Sequence, residues 1–123
     1  MVKRSLVSVV DDDASVRESL PDLLKEFGFA VKTFSSAEEF LASRFVAKTV
    51  CLILDIAMPG MSGPELQREL SLRQYNIPIV FVTAQRDEAI RLQVIKSGAV
   101  ECLTKPFSDT ALLEALKLAI QAK

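Results

Sequence analysis

The chain has 123 residues, half of them hydrophobic and a quarter charged, which predicts one folded domain over 1–123 rather than a disordered or fibrous chain. A net charge of -1 without a basic cluster argues against direct nucleic-acid binding by this segment, and the longest apolar runs are too short to cross a membrane. Histidine is absent, which excludes imidazole catalysis, most zinc sites and a phosphohistidine within the chain.

The basic start Met1-Val2-Lys3-Arg4-Ser5 lacks the apolar region of a signal peptide, so a cytoplasmic location is expected. Leu6-Val7-Ser8-Val9-Val10 predicts a first strand that ends abruptly in Asp11-Asp12-Asp13. Carboxylates suit the positive end of a helix, and that accounts for Asp13. The helix that follows carries Val16, Leu20, Leu23, Leu24 and Phe27 at helical spacing, with Pro21 inside it and Gly28 as its stop.

Phe29 to Phe34 reads as a second strand, and Ser36-Ala37-Glu38-Glu39 as a capping box opening a helix whose Phe40 and Leu41 face inward. The apolar run Val50-Cys51-Leu52-Ile53-Leu54 then delivers Asp55 and is closed by Pro59 and Gly60. A run so short predicts a strand buried on both faces. A third helix begins around Pro64 and carries Leu66, Leu70 and Leu72. Ile77 to Thr83 is a fourth strand, followed by a helix from about Arg86 to Ser97 that Gly98 stops. Val100 to Thr104 is a fifth strand leading to Lys105-Pro106, and Ser108 caps a last helix presenting Leu112, Leu113, Leu116 and Ile120.

Five alternations of strand and helix predict an α/β fold: a doubly wound, five-stranded parallel sheet in the flavodoxin-like order 2-1-3-4-5, with five helices on both faces. Cys51 and Cys102 then stand about 9–10 Å apart across an intervening strand, beyond disulfide reach. The carboxyl ends of the strands share one edge, which gathers Asp11, Asp12, Asp55, Thr83 and Lys105. Singly each has a bland explanation, an Asp in a turn above all. Together they point to chemistry. Three crowded carboxylates call for a cation, and all-oxygen ligation favours Mg2+. A cation with one lysine suits phosphoryl transfer, for which a carboxylate can be the nucleophile.

Val9-Val10-Asp11-Asp12, Leu54 to Gly63, Val82-Thr83-Ala84 and Leu103-Thr104-Lys105-Pro106-Phe107 resemble the receiver domains of bacterial two-component response regulators. The resemblance covers essentially the whole chain. Ser36-Ala37-Glu38-Glu39-Phe40-Leu41 and Pro59-Gly60-Met61-Ser62-Gly63 are similar to the FixJ-type transcriptional regulators. The resemblance implies Asp55 as phosphoacceptor, and Asp11, Asp12, Asp55 and the Ala57 backbone carbonyl as Mg2+ ligands. It further implies Thr83 as switch hydroxyl, Lys105 as phosphate-binding cation and a cis Lys105-Pro106 bond. It implies a sensor histidine kinase as donor, autodephosphorylation rather than enzymatic turnover, and homodimerisation on phosphorylation.

Two departures from that pattern matter. Cys102 stands where the family places the Phe or Tyr that follows the threonine, so the switch is expected to work through Thr83 and the loop into helix 4. Ala57 and Gln85, two beyond Asp55 and Thr83, occupy positions that influence attack of water on the acyl phosphate. Helix 4 carries two apolar sets, Ile90 with Val94 and Leu92 with Ile95, and can bury one stripe. Leu92, near Lys96, is therefore expected on an exposed face that docks a partner or a second copy.

Helix 5 is expected to end at Gln121-Ala122-Lys123. An output through a DNA-binding domain absent from this chain is one reading, and a single-domain phosphoryl shuttle another. Asp11-Asp12-Asp13 also fits the nucleophile pattern of haloacid-dehalogenase-type phosphatases, although Asp55 would then have no role. A non-phosphorylated interaction module is the remaining alternative.

Overall fold

The computed structural model describes residues 4–121, so the expected readings at Met1 to Lys3 and at Ala122-Lys123 lie outside the described residues. Five parallel strands, β1 (Leu6–Val10), β2 (Ala30–Phe34), β3 (Thr49–Asp55), β4 (Ile79–Thr83) and β5 (Glu101–Thr104), form one sheet in the order β2-β1-β3-β4-β5. They alternate with α1 (Ala14–Glu26), α2 (Ala37–Leu41), α3 (Gly63–Leu72), α4 (Glu88–Lys96) and α5 (Asp109–Gln121). This is the doubly wound, flavodoxin-like arrangement that the alternation predicts.

The strand pleat divides the core in two. Val7, Val9, Cys51, Ile53, Val80 and Val82 face Leu20 and Leu24 of α1 and Leu112, Ala115, Leu116 and Ala119 of α5. Val10, Leu52, Leu54 and Phe81 face Phe40 of α2, Leu66 and Leu70 of α3, and Val94 of α4. β3 is buried along both faces, as a central parallel strand must be. Cys51 and Cys102 belong to opposite layers, two strands apart, and both are buried. One polar chain crosses the second layer: the Thr49 hydroxyl donates to the Phe45 carbonyl and lies 2.7 Å from the Ser8 hydroxyl. A buried hydroxyl pair is tolerated because each oxygen has a partner.

Helix ends follow their caps. The Asp13 side chain accepts from the Ser15 N–H and opens α1, while Gly28, at φ 96, follows its C-cap. The Phe29 N–H reaches back to Leu24 and the Gly28 N–H to Lys25, a Schellman closure. Pro21 is accommodated inside α1. In α2 the Ser36 hydroxyl accepts from the Glu39 N–H, but Glu39 returns to the N–H of Ser35 rather than Ser36, a displaced version of the expected box. A reciprocal capping box instead opens α3, between Ser62 and Glu65, starting that helix one residue before Pro64.

Three expectations shift. Helix 4 starts at Glu88, not Arg86, because the Asp87 carboxylate caps the Ile90 N–H. Leu72 and Ile120 fall off the buried stripes and are 69% and 38% exposed, whereas the small Ala115 and Ala119 let α5 lie close to the sheet. A single 3-10 turn, Val46–Lys48, was not foreseen; it follows the short α2 and leads the chain into β3.

Candidate functional site

The C-terminal ends of β1, β3, β4 and β5 open into one cleft of about 320 Å³, lined by Asp12, Asp55, Ala57, Thr83, Gln85 and Lys105 among others. Asp11, fully buried, lies just beneath. Its N–H donates to the Phe34 carbonyl, tying the β1 end to its neighbour. Its Oδ1 accepts from the Asp13 N–H at 2.9 Å, and its Oδ2 accepts from Lys105 Nζ at 2.9 Å. Lys105 therefore pairs with Asp11 from the opposite side of the sheet, after a cis Lys105-Pro106 peptide.

Asp55 ends β3 and is 6% exposed. Burial, foremost, and the charge of Asp11 push its carboxyl up from 3.8 to about 7. Hydrogen bonding with the Asp12 and Asp11 side chains adds to that rise, and only Lys105 opposes it. One carboxylate oxygen each from Asp11, Asp12 and Asp55 lie within 4.8 Å of one another. A donor set of hard oxygens alone, short of positive charge, fits a hard divalent cation such as Mg2+. The exposed Ala57 borders the same cleft.

The loop after Asp55 is fixed by close packing. The Gly63 N–H donates to the Ile56 carbonyl, and a β-carbon on Gly63 would collide with the Asp55 carbonyl oxygen and press on the Phe81 ring. Glycine is required there for approach, not for its dihedral angles. Further along, the Glu38 carboxylate accepts from the Met61 N–H at 3.1 Å, and a side chain on Gly60, itself at φ 74, would push that carboxylate aside.

Thr83 closes β4, and its hydroxyl donates to the Gln85 carbonyl and accepts from the Gln85 N–H, both at 3.2 Å. The hydroxyl is thus engaged with the loop that leads to α4. Cys102 points into the layer that α4 covers, its thiol pushed up mainly by burial. Beside it is a small cleft of about 220 Å³, lined by Thr83, Arg91, Cys102 and Thr104 among others. Arg91 spans it, bonding Glu88 at 3.3 Å and Glu101 at 3.1 Å. Leu92 is 60% exposed and Lys96 is exposed one turn on, while Ile95, its expected partner, packs against the core.

Two contacts of this region were not foreseen: that of Arg17, which stands in no motif and whose Nη1 donates to the Asp11 carbonyl at 2.8 Å, and that of Glu38, which accepts from the Met61 N–H. Arg17 was detectable in principle, because a cation in the first turn of a helix opposes the helix dipole. For Glu38 the contact spans 23 residues, and no local pattern announces it.

Comparison with known proteins gives this geometry a family. A family model described as the response regulator receiver domain matches residues 7–117. Nodulation protein W of Bradyrhizobium diazoefficiens is 42% identical over 118 residues, which are 96% of this chain and 52% of that protein. Transcriptional regulatory protein FixJ of Rhizobium meliloti is 42% identical over 113 residues, 92% of this chain and 55% of FixJ. The chain spans about half the length of these curated relatives. Among solved structures, FixJ-N superposes with a TM-score of 0.87 at 40% identity, covering 100% of this chain and 98% of that one. The response regulator StyR gives 0.88 at 47% identity, covering 98% and 61%. By its sequence, its strand order and its match over residues 7–117, the chain belongs to the receiver domain family of two-component response regulators.

Proposed function

We propose that Asp55 accepts a phosphoryl group from the phosphohistidine of a partner kinase, or from a small donor such as acetyl phosphate, and that the acyl phosphate sets the state of α4 and β5. The observation that carries this reading is the convergence of Asp55, Asp12, Thr83 and Lys105 on one cleft while Asp11 is fully engaged beneath it. Both Asp11 oxygens already accept hydrogen bonds, which disfavours Asp11 as the nucleophile of a phosphatase. Asp55 keeps its carboxylate at the strand end, open to attack on phosphorus.

Asp11, Asp12, Asp55 and the Ala57 carbonyl would hold Mg2+, which, when bound, neutralises charge on the phosphoryl oxygens. Asp55 provides the attacking oxygen, and must be ionised to do so. Lys105, held by Asp11, is placed to offer its ammonium to a phosphoryl oxygen. The Thr83 hydroxyl can turn from Gln85 to the phosphoryl group only by giving up its two bonds to that residue, which frees the loop into α4. With Cys102 in place of a ring, that loop is the route by which the switch reaches α4. Arg91, Glu88 and Glu101, which join α4 to β5, lie on it.

The receiver is read as a cytoplasmic switch with autodephosphorylation rather than a turnover enzyme. Among the described residues no helix is long and apolar enough to cross a membrane. The name of the relative FixJ, a transcriptional regulatory protein, supports transcriptional output; the exposed Leu92 and Lys96 on α4 are read as the face for phosphorylation-dependent pairing. The test is intact mass after incubation with acetyl phosphate and Mg2+. One added phosphoryl group in wild type and none in Asp55→Asn is expected; an adduct on both would place the acceptor elsewhere. If Leu92→Asp left phosphorylation-dependent dimerisation intact, that face would be excluded as the dimer interface.

A further inference from the structure

Arg17 stands in the first turn of α1, where the helix dipole disfavours a cation and where Asp13 supplies the only neighbouring cap. Its backbone N–H donates to the Asp13 carbonyl at 3.2 Å, and its Nη1 donates to the Asp11 carbonyl at 2.8 Å. The first of these is the ordinary opening bond of the helix; the second belongs to the side chain, which reaches back past Asp12 to the end of β1. We propose that Arg17 is a positioning residue for the cation cradle: by bonding the Asp11 carbonyl it holds the β1–α1 loop so that the Asp11 and Asp12 carboxylates converge with Asp55. The inference rests on the reading of those three carboxylates as a divalent-cation site.

The alternative is that Arg17 merely supplies charge, and the two ideas differ in sign. A positive charge near the cluster repels an incoming cation, so charge alone would make Arg17 weaken metal binding. Positioning makes it strengthen binding, because ligands left free to drift must be ordered again by the metal. Groups that hold metal ligands in place typically cost about 10–100-fold in metal affinity when removed. The geometry favours positioning: Asp11 is buried, and its N–H, carbonyl and both carboxylate oxygens are bonded to Phe34, Arg17, Asp13 and Lys105 respectively. Of these partners only Arg17 acts on the peptide that joins Asp11 to Asp12.

The experiment is calorimetric titration of Mg2+ into wild type, Arg17→Ala and Arg17→Lys, with thermal melts of each in EDTA. Arg17→Ala is expected to weaken Mg2+ binding about tenfold, the lower end of that range, while its melt in EDTA stays near wild type. Arg17→Lys retains a charged donor for the same carbonyl and is expected to recover most of the loss. Equal or tighter Mg2+ binding by Arg17→Ala would overturn the proposal in favour of simple charge. A large fall in its EDTA melt, or no recovery with lysine, would overturn it in favour of a purely structural role. Failure of wild type itself to bind Mg2+ would instead remove the cation reading and leave the Arg17 contact without this purpose.

Discussion

The helices that cover the two faces of the sheet are held to very different degrees, with α5 and α4 at the extremes. On one, α1 and α5 are 13 residues each, and α5 alone buries Leu112, Ala115, Leu116 and Ala119. On the other, α3 has 10 residues and buries Leu66 and Leu70, but α2 has 5 and α4 has 9, and α4 fully buries only Val94, with Ile90 and Ile95 half-covered. The apolar area removed from water sets how firmly an element is held. The α5 face is therefore the fixed wall of the molecule, and α4 the element that opens at least cost. Thr83 is bonded to the loop that feeds α4, and the small cleft at Cys102 lies beneath the same helix. A charge change at Asp55 thus meets a weakly held neighbour on one side and a firmly held one on the other. The difference explains why a switch at this sheet edge is expected to act on α4.

The change expected to disturb both stability and the site is at Gly63, which packs the start of α3 against the end of β3. Gly63→Ala forces its new carbon into the Asp55 carbonyl, and a loss of about 1–3 kcal/mol is expected from overpacking, with phosphorylation lost as Asp55 is displaced. Chemical denaturation with the mass assay checks both. Next, Leu116→Ala should cost about 2–5 kcal/mol in global stability. Ile95→Ala, half-covered on α4, should cost less and act locally, speeding amide exchange in α4 ahead of the rest. Equal global costs would remove the contrast between the faces.

The site itself adds a pH dependence. The Asp55 carboxyl is near 3.8 when unfolded and about 7 when folded, so between those values the folded chain holds a proton that the unfolded chain has released. Without metal, this group favours folding below its unfolded value, and that contribution is lost as pH rises towards about 7. Relative to Asp55→Asn, wild type should lose of order 2 kcal/mol between about pH 5 and pH 8 in EDTA. Urea melts of the two proteins measure it, and a flat difference would contradict the shift. The smallest effect lies far from the site. Gln74 closes α3 at φ 65, with the N–H of Tyr75 reaching Leu70, so Gln74→Gly should raise stability by about 1 kcal/mol.

Gln74 also marks what the sequence could not convey. A Schellman closure usually announces itself by glycine, as at Gly28 and Gly98, and glutamine in the same geometry gives no sign. β1, β3 and β4 were legible as apolar runs ended by a charged or hydroxyl residue, whereas β2 and β5 carry polar residues within them; Asp11, Asp12, Asp55, Thr83 and Lys105 stand where the strands stop. The edges of helices were less so: Arg86 reads as helical until Asp87 is seen to cap, and Ser62 with Glu65 lay hidden in a loop rich in Pro and Gly. Leucine counting misplaced Leu72 and Ile120, since the 3.6 period passes both to the outside, and in α5 Ala115 and Ala119 share the buried stripe. Tertiary contacts such as Glu38 to Met61 have no local signature at all.

The central claim is that Asp55 carries the phosphoryl group as an acyl phosphate. Protein labelled with acetyl phosphate and Mg2+ can be reduced with borohydride, which converts an aspartyl phosphate to homoserine and releases phosphate. Peptide mapping then reads the modified position. Homoserine at position 55, dependent on both Mg2+ and the donor, is the predicted result. Homoserine at Asp11 or Asp12 with position 55 unchanged would contradict the account.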